Sequence, residues 1–139
     1  MFIDRYLSVF DGVARYMERA KQKAQSYGYA ETLYGRKRLL PDIHSPNHQF
    51  RTFAERVAIN MPIQGTSADI VKMAMVQCDK QFPSLTLLLQ IHDELLWEGE
   101  SAEIKKHAEQ VASVLEHIVD LSVPLTVKYS IGESWNALK

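Results

Sequence analysis

The sequence has very little cysteine, since Cys78 is the only one among its 139 residues. A lone thiol forms no internal disulfide and no thiolate zinc cluster, which excludes disulfide-stapled and zinc-ribbon scaffolds. A signal peptide and an apolar run long enough to span a bilayer are also missing. These absences predict a protein of a reducing, cytoplasmic compartment with no membrane partner.

An excess of charge of either sign is missing too, because 16 Lys and Arg stand against 17 Asp and Glu. Nucleic-acid binding by net charge is thereby excluded, and any such binding must come from local patches. The chain also lacks internal repeats, low-complexity stretches and flexible linkers. With 46% hydrophobic residues, its length predicts a single domain over residues 1–139.

Apolar periodicity predicts two helices within residues 2–27, divided at Asp11, which would cap the second helix, and ended by Gly28. Alternating residues over 29–40 predict two short strands around the basic turn 35–38. This turn could contact phosphates, or it could simply be solvated.

A strong helical pattern covers residues 49–61. Its apolar stripe is predicted to face inward, with Arg56 and Asn60 on the other face. The stripe consists of Phe50, Phe53, Ala54, Val57, Ala58 and Met61. Pro62 is predicted to end this helix, and Thr66 with Asp69 resembles a capping box that opens the next. That helix, over 66–82, is apolar on most sides, which predicts a central helix packed against a sheet.

Residues 85–98 contain two apolar runs separated by His92, Asp93 and Glu94. They predict a buried hairpin with these three residues at its tip and the two carboxylates on opposite sides. Oxygen ligands on a rigid tip suit a hard cation such as magnesium, although a polar tight turn explains the same residues. Ser101 is predicted to cap a following helix, and the alternation over 123–131 predicts a strand that pairs with the hairpin.

Three segments together resemble the C-terminal part of family A DNA polymerases, the bacterial DNA polymerase I type. They read GYAETLYGRKRLLPDI (28–43), AERVAINMPIQGTSAD (54–69) and QIHDEL (90–95), in the family's order and spacing. The resemblance extends over nearly the whole chain. It implies an α/β (α+β) fold, a partial polymerase palm in which a small antiparallel sheet with the catalytic-type hairpin packs against several helices.

The resemblance implies roles for six residues. Asp93 would bind magnesium, Glu94 would be its acidic neighbour, and His92 would lie near the primer end. The groove-facing residues Arg56, Asn60 and Gln64 would contact the minor groove of primer-template DNA. The implied activity is DNA-directed nucleotidyl transfer from a dNTP to a primer 3′ end, and two-metal chemistry suits such a reaction.

The family's first metal-binding aspartate and its fingers helix have no match in the sequence, and Ser67 and Trp97 differ from the residues usual in the family. We therefore expect a fragment that is inactive without the missing N-terminal part of the polymerase. Two alternatives stay open. One is a non-catalytic duplex DNA-binding module, and the other is an interaction domain that self-associates through exposed apolar helices. The module would use the cations Arg36, Lys37, Arg38, Arg51 and Arg56.

Overall fold

The computed structural model describes residues 2–138 and contains five α-helices and four strands in that range. In chain order these are α1 (Phe2–Val9), α2 (Asp11–Tyr27), β1 (Tyr29–Glu31), β2 (Lys37–Leu39), α3 (His48–Asn60), α4 (Thr66–Gln81), β3 (Thr86–Ile91), β4 (Glu94–Glu98) and α5 (Ser101–His117). Short 3₁₀ segments cover Pro41–His44 and Trp135–Leu138, and a π-helical turn covers Met61–Gly65. The contacts divide the chain into two compact units, one up to Ser67 and one from Ala68.

In the first unit, the two predicted N-terminal helices and the hairpin after them are confirmed. Phe10 separates α1 from α2, and the Phe10 backbone caps α2 without a side-chain hydrogen bond, so the predicted cap by Asp11 is wrong. Gly28 ends α2 at φ 74°, in the left-handed region that glycine adopts without strain. Strands β1 and β2 then pair antiparallel, with Ala30 opposite Arg38.

The core of the first unit is made mainly of small side chains. It contains Ala24, Ala30, Leu40, Ile43, Ala54, Ala58 and Met61, with Val57 packed against it. Phe50 and Phe53 are 56% and 55% exposed, so their predicted inward orientation is wrong. Alanines on α2 and α3 let the two helix backbones approach closely, and the hydroxyl of Tyr16 donates to the carbonyl of Ile59 at 2.7 Å. The close approach selects the alanine face.

Pro62 does not end the helix, contrary to the prediction. The helical backbone continues from α3 through the π-helical turn into α4. A proline inside an α-helix removes one donor and places its ring against the carbonyl of residue i−4. A wider π turn, with i→i+5 bonding, relieves that crowding and keeps the chain helical.

In the second unit, a hairpin packs against two helices. Strands β3 and β4 pair antiparallel from Thr86 opposite Glu98 to Ile91 opposite Glu94. The core joins the end of α4 to the start of the hairpin and to α5. It contains Cys78, Phe82, Leu85 and Val111, against which Trp97, Ile104, Val114 and Leu115 pack. The predicted fold class, an α+β arrangement of small antiparallel sheets and helices, is confirmed.

Helix α4 buries Asp69, Ala74 and Cys78, while Val76 is 55% exposed. The predicted packing of this helix against a sheet is found at its end, where Trp97 of β4 packs against the cluster that contains Cys78 and Phe82. Burial raises the pKa of the Cys78 thiol, which makes this cysteine a packing residue with little thiolate character.

The predicted strand over 123–131 does not form in the described structure, and Val123, Tyr129 and Ile131 are exposed. The backbone N–H of Val127 donates instead to Oε1 of Glu116 at 2.9 Å. Alternation produces a strand only where the segment pairs with a sheet edge, and in the described structure residues 123–131 do not pair with either outer edge of the β3–β4 hairpin.

The start of α5 also differs from the prediction. Ser101 is its first helical residue and Glu100 precedes it without a side-chain cap.

No described helix has both the length and the apolar character needed to cross a membrane.

Candidate active site

The predicted hairpin tip is confirmed, and it is tighter than the sequence suggested. The predicted burial of the hairpin is wrong for most of β3, where Leu88 and Leu89 are 47% and 43% exposed. His92 and Asp93 alone form the turn, because Glu94 already pairs with Ile91 as the first residue of β4. His92 has φ 55°, a left-handed conformation that costs a non-glycine residue roughly 1 kcal/mol. The side-chain amide of Gln90 donates to the His92 carbonyl at 3.0 Å and holds the turn. Backbone strain of this kind is concentrated at functional sites.

All three tip residues, His92, Asp93 and Glu94, are exposed. The described residues contain no group of three or more His, Cys, Asp or Glu side chains that could hold a metal ion. Magnesium commonly takes one or two protein carboxylates and completes its shell with water and substrate phosphates. The tip can therefore supply only part of the coordination shell of a magnesium ion, and other groups must supply the remaining ligands.

Arg56, Asn60 and Gln64 recur at intervals of four residues along the continuous helical backbone, and all three are exposed. Residues four apart lie on the same side of a helix, so α3 and the π-helical turn present them as one polar stripe. The buried alanines Ala54 and Ala58 anchor the opposite side of α3 in the core. The stripe offers a guanidinium and two amides to a ligand.

Beneath Gln64, the loop between β1 and β2 contacts the π-helical turn. The hydroxyl of Thr66 donates to the Pro62 carbonyl and accepts from the Leu33 N–H at 2.9 Å. Thr66 also has helical backbone angles, so its predicted role as a helix cap is wrong. Nη2 of Arg36 donates to the Gly65 carbonyl at 2.8 Å.

These supporting residues were not recognised from the sequence as neighbours of Gln64. The one usable signal was Gly65, because an isolated glycine within a helical pattern often marks a close approach of another segment. A Cβ on Gly65 would lie 2.6 Å from Cγ2 of Thr32.

The cations of the alternative DNA-binding module differ in what they contact. Arg36 is engaged with the Gly65 carbonyl, and Nη1 of Arg51 donates to the Ser45 carbonyl at 3.0 Å. Lys37 Nζ lies 4.5 Å from the centre of the Tyr29 ring, and Arg38 is exposed. Two of the guanidinium groups thus stabilise the fold, which weakens the case for a purely electrostatic module.

Comparison with known proteins places this geometry in one family. The model of DNA polymerase family A matches residues 1–137. DNA polymerase I of Bacillus subtilis is 47% identical over an alignment of 139 positions, which covers 96% of this chain and 16% of that protein. The thermostable DNA polymerase I of Thermus thermophilus is 41% identical over an alignment of 143 positions, which covers 99% of this chain and 17% of that protein.

A solved structure has the same fold at 38% identity and a TM-score of 0.93, covering 98% of this chain and 25% of the other. It is the POL domain of Pol1 from M. smegmatis, in complex with DNA primer-template and dNTP. The chain spans about one sixth of the length of the two DNA polymerase I proteins from Bacillus subtilis and Thermus thermophilus. Since the family model matches almost all of it, the chain belongs to DNA polymerase family A.

Proposed function

We propose that this chain is part of a DNA-directed DNA polymerase, which transfers a nucleotide from a dNTP to the 3′ end of a primer on a DNA template. The observation that carries the proposal is the strained turn that holds Asp93 at the tip of a paired hairpin, in a chain of this family. The related POL domain bound to primer-template and dNTP supports the same substrates.

At the tip, Asp93 would supply one carboxylate to a magnesium site in the complete polymerase. The chemistry that such an ion would add is neutralisation of charge on the phosphoryl oxygens. The two-residue turn fixes the backbone of Asp93, so its carboxylate is placed without ordering a flexible loop. Glu94 adds a second negative charge beside it, and His92 lies near the primer end.

Along the polar stripe, Arg56, Asn60 and Gln64 face the minor groove of the primer-template duplex. The minor-groove edges of all base pairs carry acceptors in similar positions, so guanidinium and amide donors bind there with little sequence preference. A polymerase needs this property, because it must hold any correctly paired primer end.

The direct test is primer extension by a hybrid polymerase in which residues 1–139 replace the matching segment of the Bacillus subtilis enzyme. Asp93→Asn should lower kcat on the order of a thousandfold, because a metal-bound transition state is stabilised by several kcal/mol. Asp79→Asn is the matched control, since Asp79 is an exposed aspartate on α4. Retention of activity by Asp93→Asn, or an equal loss in the control, would contradict the proposal.

The isolated chain should incorporate no nucleotide on a primed template. Its described residues offer no cluster of metal-binding groups, and one exposed carboxylate binds magnesium weakly. Activity should appear only when the rest of the polymerase is supplied. If the chain alone incorporates nucleotide, and if Asp93→Asn abolishes that incorporation, then the expectation is wrong and no further part of the polymerase is needed.

Replacing Arg56 by Ala in the hybrid polymerase should weaken primer-template binding by roughly 1 to 3 kcal/mol. The cost to folding should be within about 0.5 kcal/mol, because Arg56 is exposed and outside the alanine core. DNA titration and thermal unfolding measure the two effects. Arg19→Ala, which removes an exposed arginine from α2, is the charge-matched control. An equally large loss of stability in Arg56→Ala would assign this side chain a structural role.

A further inference from the structure

We propose that the loop between β1 and β2 is a brace that holds the π-helical turn and thereby positions Gln64. This inference rests on the proposed function, because it concerns how Gln64 reaches the DNA. The brace consists of Thr32, Leu33 and Arg36 on the loop and of Gly65 and Thr66 on the helical backbone.

The first contact is the Thr66 hydroxyl, which uses both of its hydrogen-bonding functions. It donates to the Pro62 carbonyl four residues earlier, and it accepts from the Leu33 N–H at 2.9 Å. A threonine hydroxyl that bonds to a carbonyl of the preceding turn is a local feature that bends helices. Here the same hydroxyl also joins the helical backbone to a different element, the loop between β1 and β2.

The second contact lies immediately after Gln64. Nη2 of Arg36 donates to the Gly65 carbonyl at 2.8 Å, while the backbone N–H of Arg36 donates to Oγ1 of Thr32 at 3.1 Å. The guanidinium is thus held on a loop that is itself fixed. A charge-assisted hydrogen bond is about twice as strong as a neutral one, so this contact restrains the Gly65 peptide firmly.

The third contact is steric. A Cβ at Gly65 would lie 2.6 Å from Cγ2 of Thr32 and 3.1 Å from the Met61 side chain. The loop therefore sits directly against the helical backbone, and the turn cannot move toward it. The π-helical turn is restrained at Pro62, Gly65 and Thr66, on both sides of Gln64.

This restraint matters because a π turn is an uncommon conformation, and Pro62 supplies no N–H to stabilise it. The side chain of Gln64 is exposed, so core packing does not fix its direction. What fixes it is the backbone from which it projects. An error of about 1 Å in a positioning group is enough to cost a large factor in rate.

The test is a double-mutant cycle in the hybrid polymerase, with kcat and KM for primer extension measured separately. Thr66→Val keeps the shape of the side chain and removes the hydroxyl, and Thr66→Ser restores the hydroxyl. We expect Thr66→Val to lower kcat/KM at least threefold when Gln64 is present and less than twofold in a Gln64→Ala background, with recovery in Thr66→Ser. Interacting residues show such non-additivity, whereas a general loss of stability does not.

Arg36→Met should behave like Thr66→Val. Arg38→Met is its matched control, because it removes the same charge from the same hairpin. Its effect, whatever its size, should add to that of Gln64→Ala. Additive effects of Thr66→Val and Gln64→Ala would overturn the inference.

A separate measurement on the 139-residue chain distinguishes failure of the brace from failure of the proposed function. Hydrogen exchange at the Leu33 amide should accelerate in Thr66→Val and not in Thr66→Ser. Unchanged exchange in Thr66→Val would overturn the brace itself. The exchange could accelerate in Thr66→Val while the Gln64→Ala variant keeps normal activity. This result would overturn the assigned role of Gln64, and with it the positioning role of the brace.

Discussion

Gly65 shows how much a single residue can decide in this chain. Its missing side chain leaves the space that Cγ2 of Thr32 occupies. His92 is a second such residue, because its left-handed backbone allows the hairpin to turn in two residues. The periodicity of neither segment shows these constraints, since both depend on one backbone position.

Gly65→Ala should destabilise the chain by about 1 to 3 kcal/mol, the usual cost of overpacking, because a Cβ cannot fit 2.6 Å from Thr32 Cγ2. Urea unfolding at constant pH measures this loss. Adding Thr32→Ser removes the obstructing methyl group, keeps the hydroxyl that binds Arg36, and should restore much of the stability.

Gly12→Ala is the matched control. Gly12 lies in α2, and a Cβ added there would meet open space. Alanine at this position should therefore be neutral or stabilising by up to about 1 kcal/mol. A Gly65→Ala variant as stable as the parent would show that the loop can move away from the helix.

Among the elements, α5 makes a polar contact with the loop between α4 and β3. The Ser84 hydroxyl donates to Oε2 of Glu103 at 2.9 Å, and Nε2 of His107 lies 3.1 Å from the same oxygen. The Ser84 hydrogen bond first, and then the charge of Lys106, hold the pKa of Glu103 below its usual value. Lys106 Nζ lies 3.7 Å from Oε1 of this carboxylate.

This lowered pKa gives the second unit a defined pH dependence. A carboxyl group with a folded pKa below its unfolded value of about 4.3 stabilises the fold above that pH. The contribution is lost as the pH falls through the folded pKa. Ser84→Ala should therefore lower the free energy of unfolding at pH 7, and the difference from the parent should shrink toward pH 3.

Chemical denaturation at a series of pH values measures this difference. The Glu103→Gln variant is the control, because without a titrating group at this position Ser84→Ala should have the same effect at every pH. A Ser84→Ala effect that stays constant down to pH 3 in the parent background would assign the low pKa to another cause.

For the helices and strands, the sequence predicted where each element lies in the chain better than which of its faces is buried. Both N-terminal helices, their separation near Asp11, the glycine stop at Gly28 and both hairpins follow from local periodicity and turn residues. The buried face of α3 did not follow, because Phe50 and Ala54 belong to the same apolar stripe and only the segments packed against α3 select between them. The predicted helix end at Pro62 is wrong for a similar reason, because the π turn overrides the local tendency of proline to end a helix.

For the whole molecule, the main unexplained feature is the amount of apolar surface on the first unit. Ile3, Val9 and Phe10 are 63%, 69% and 51% exposed, and the rings of Tyr6 and Phe10 lie 4.8 Å apart between their centres. These residues recur at helical spacing, so they make one apolar surface along α1 and the Phe10 that follows it. Contiguous exposed patches of this kind usually mark an interaction site or cause association.

We therefore expect the isolated chain to self-associate at micromolar concentrations, with a sedimentation coefficient that rises with concentration. Val9→Lys should reduce this association, because it places a charge within the apolar surface. Lys21→Arg, a conservative change on α2, is the control. A chain that stays monomeric at high micromolar concentration would contradict the expectation.

The sequence by itself determined the helices, the hairpins, the residues at the Asp93 tip and the family, because helical periodicity, turn formation and motif spacing depend on neighbours along the chain. The tertiary structure alone decided which face of α3 is buried, that the backbone stays helical through Pro62, that residues 123–131 form no strand, and that Arg36 holds the Gly65 carbonyl. Each of these depends on a surface supplied by a distant segment. A local pattern states what a residue can do, and the segment packed against it selects which of these possibilities is realised.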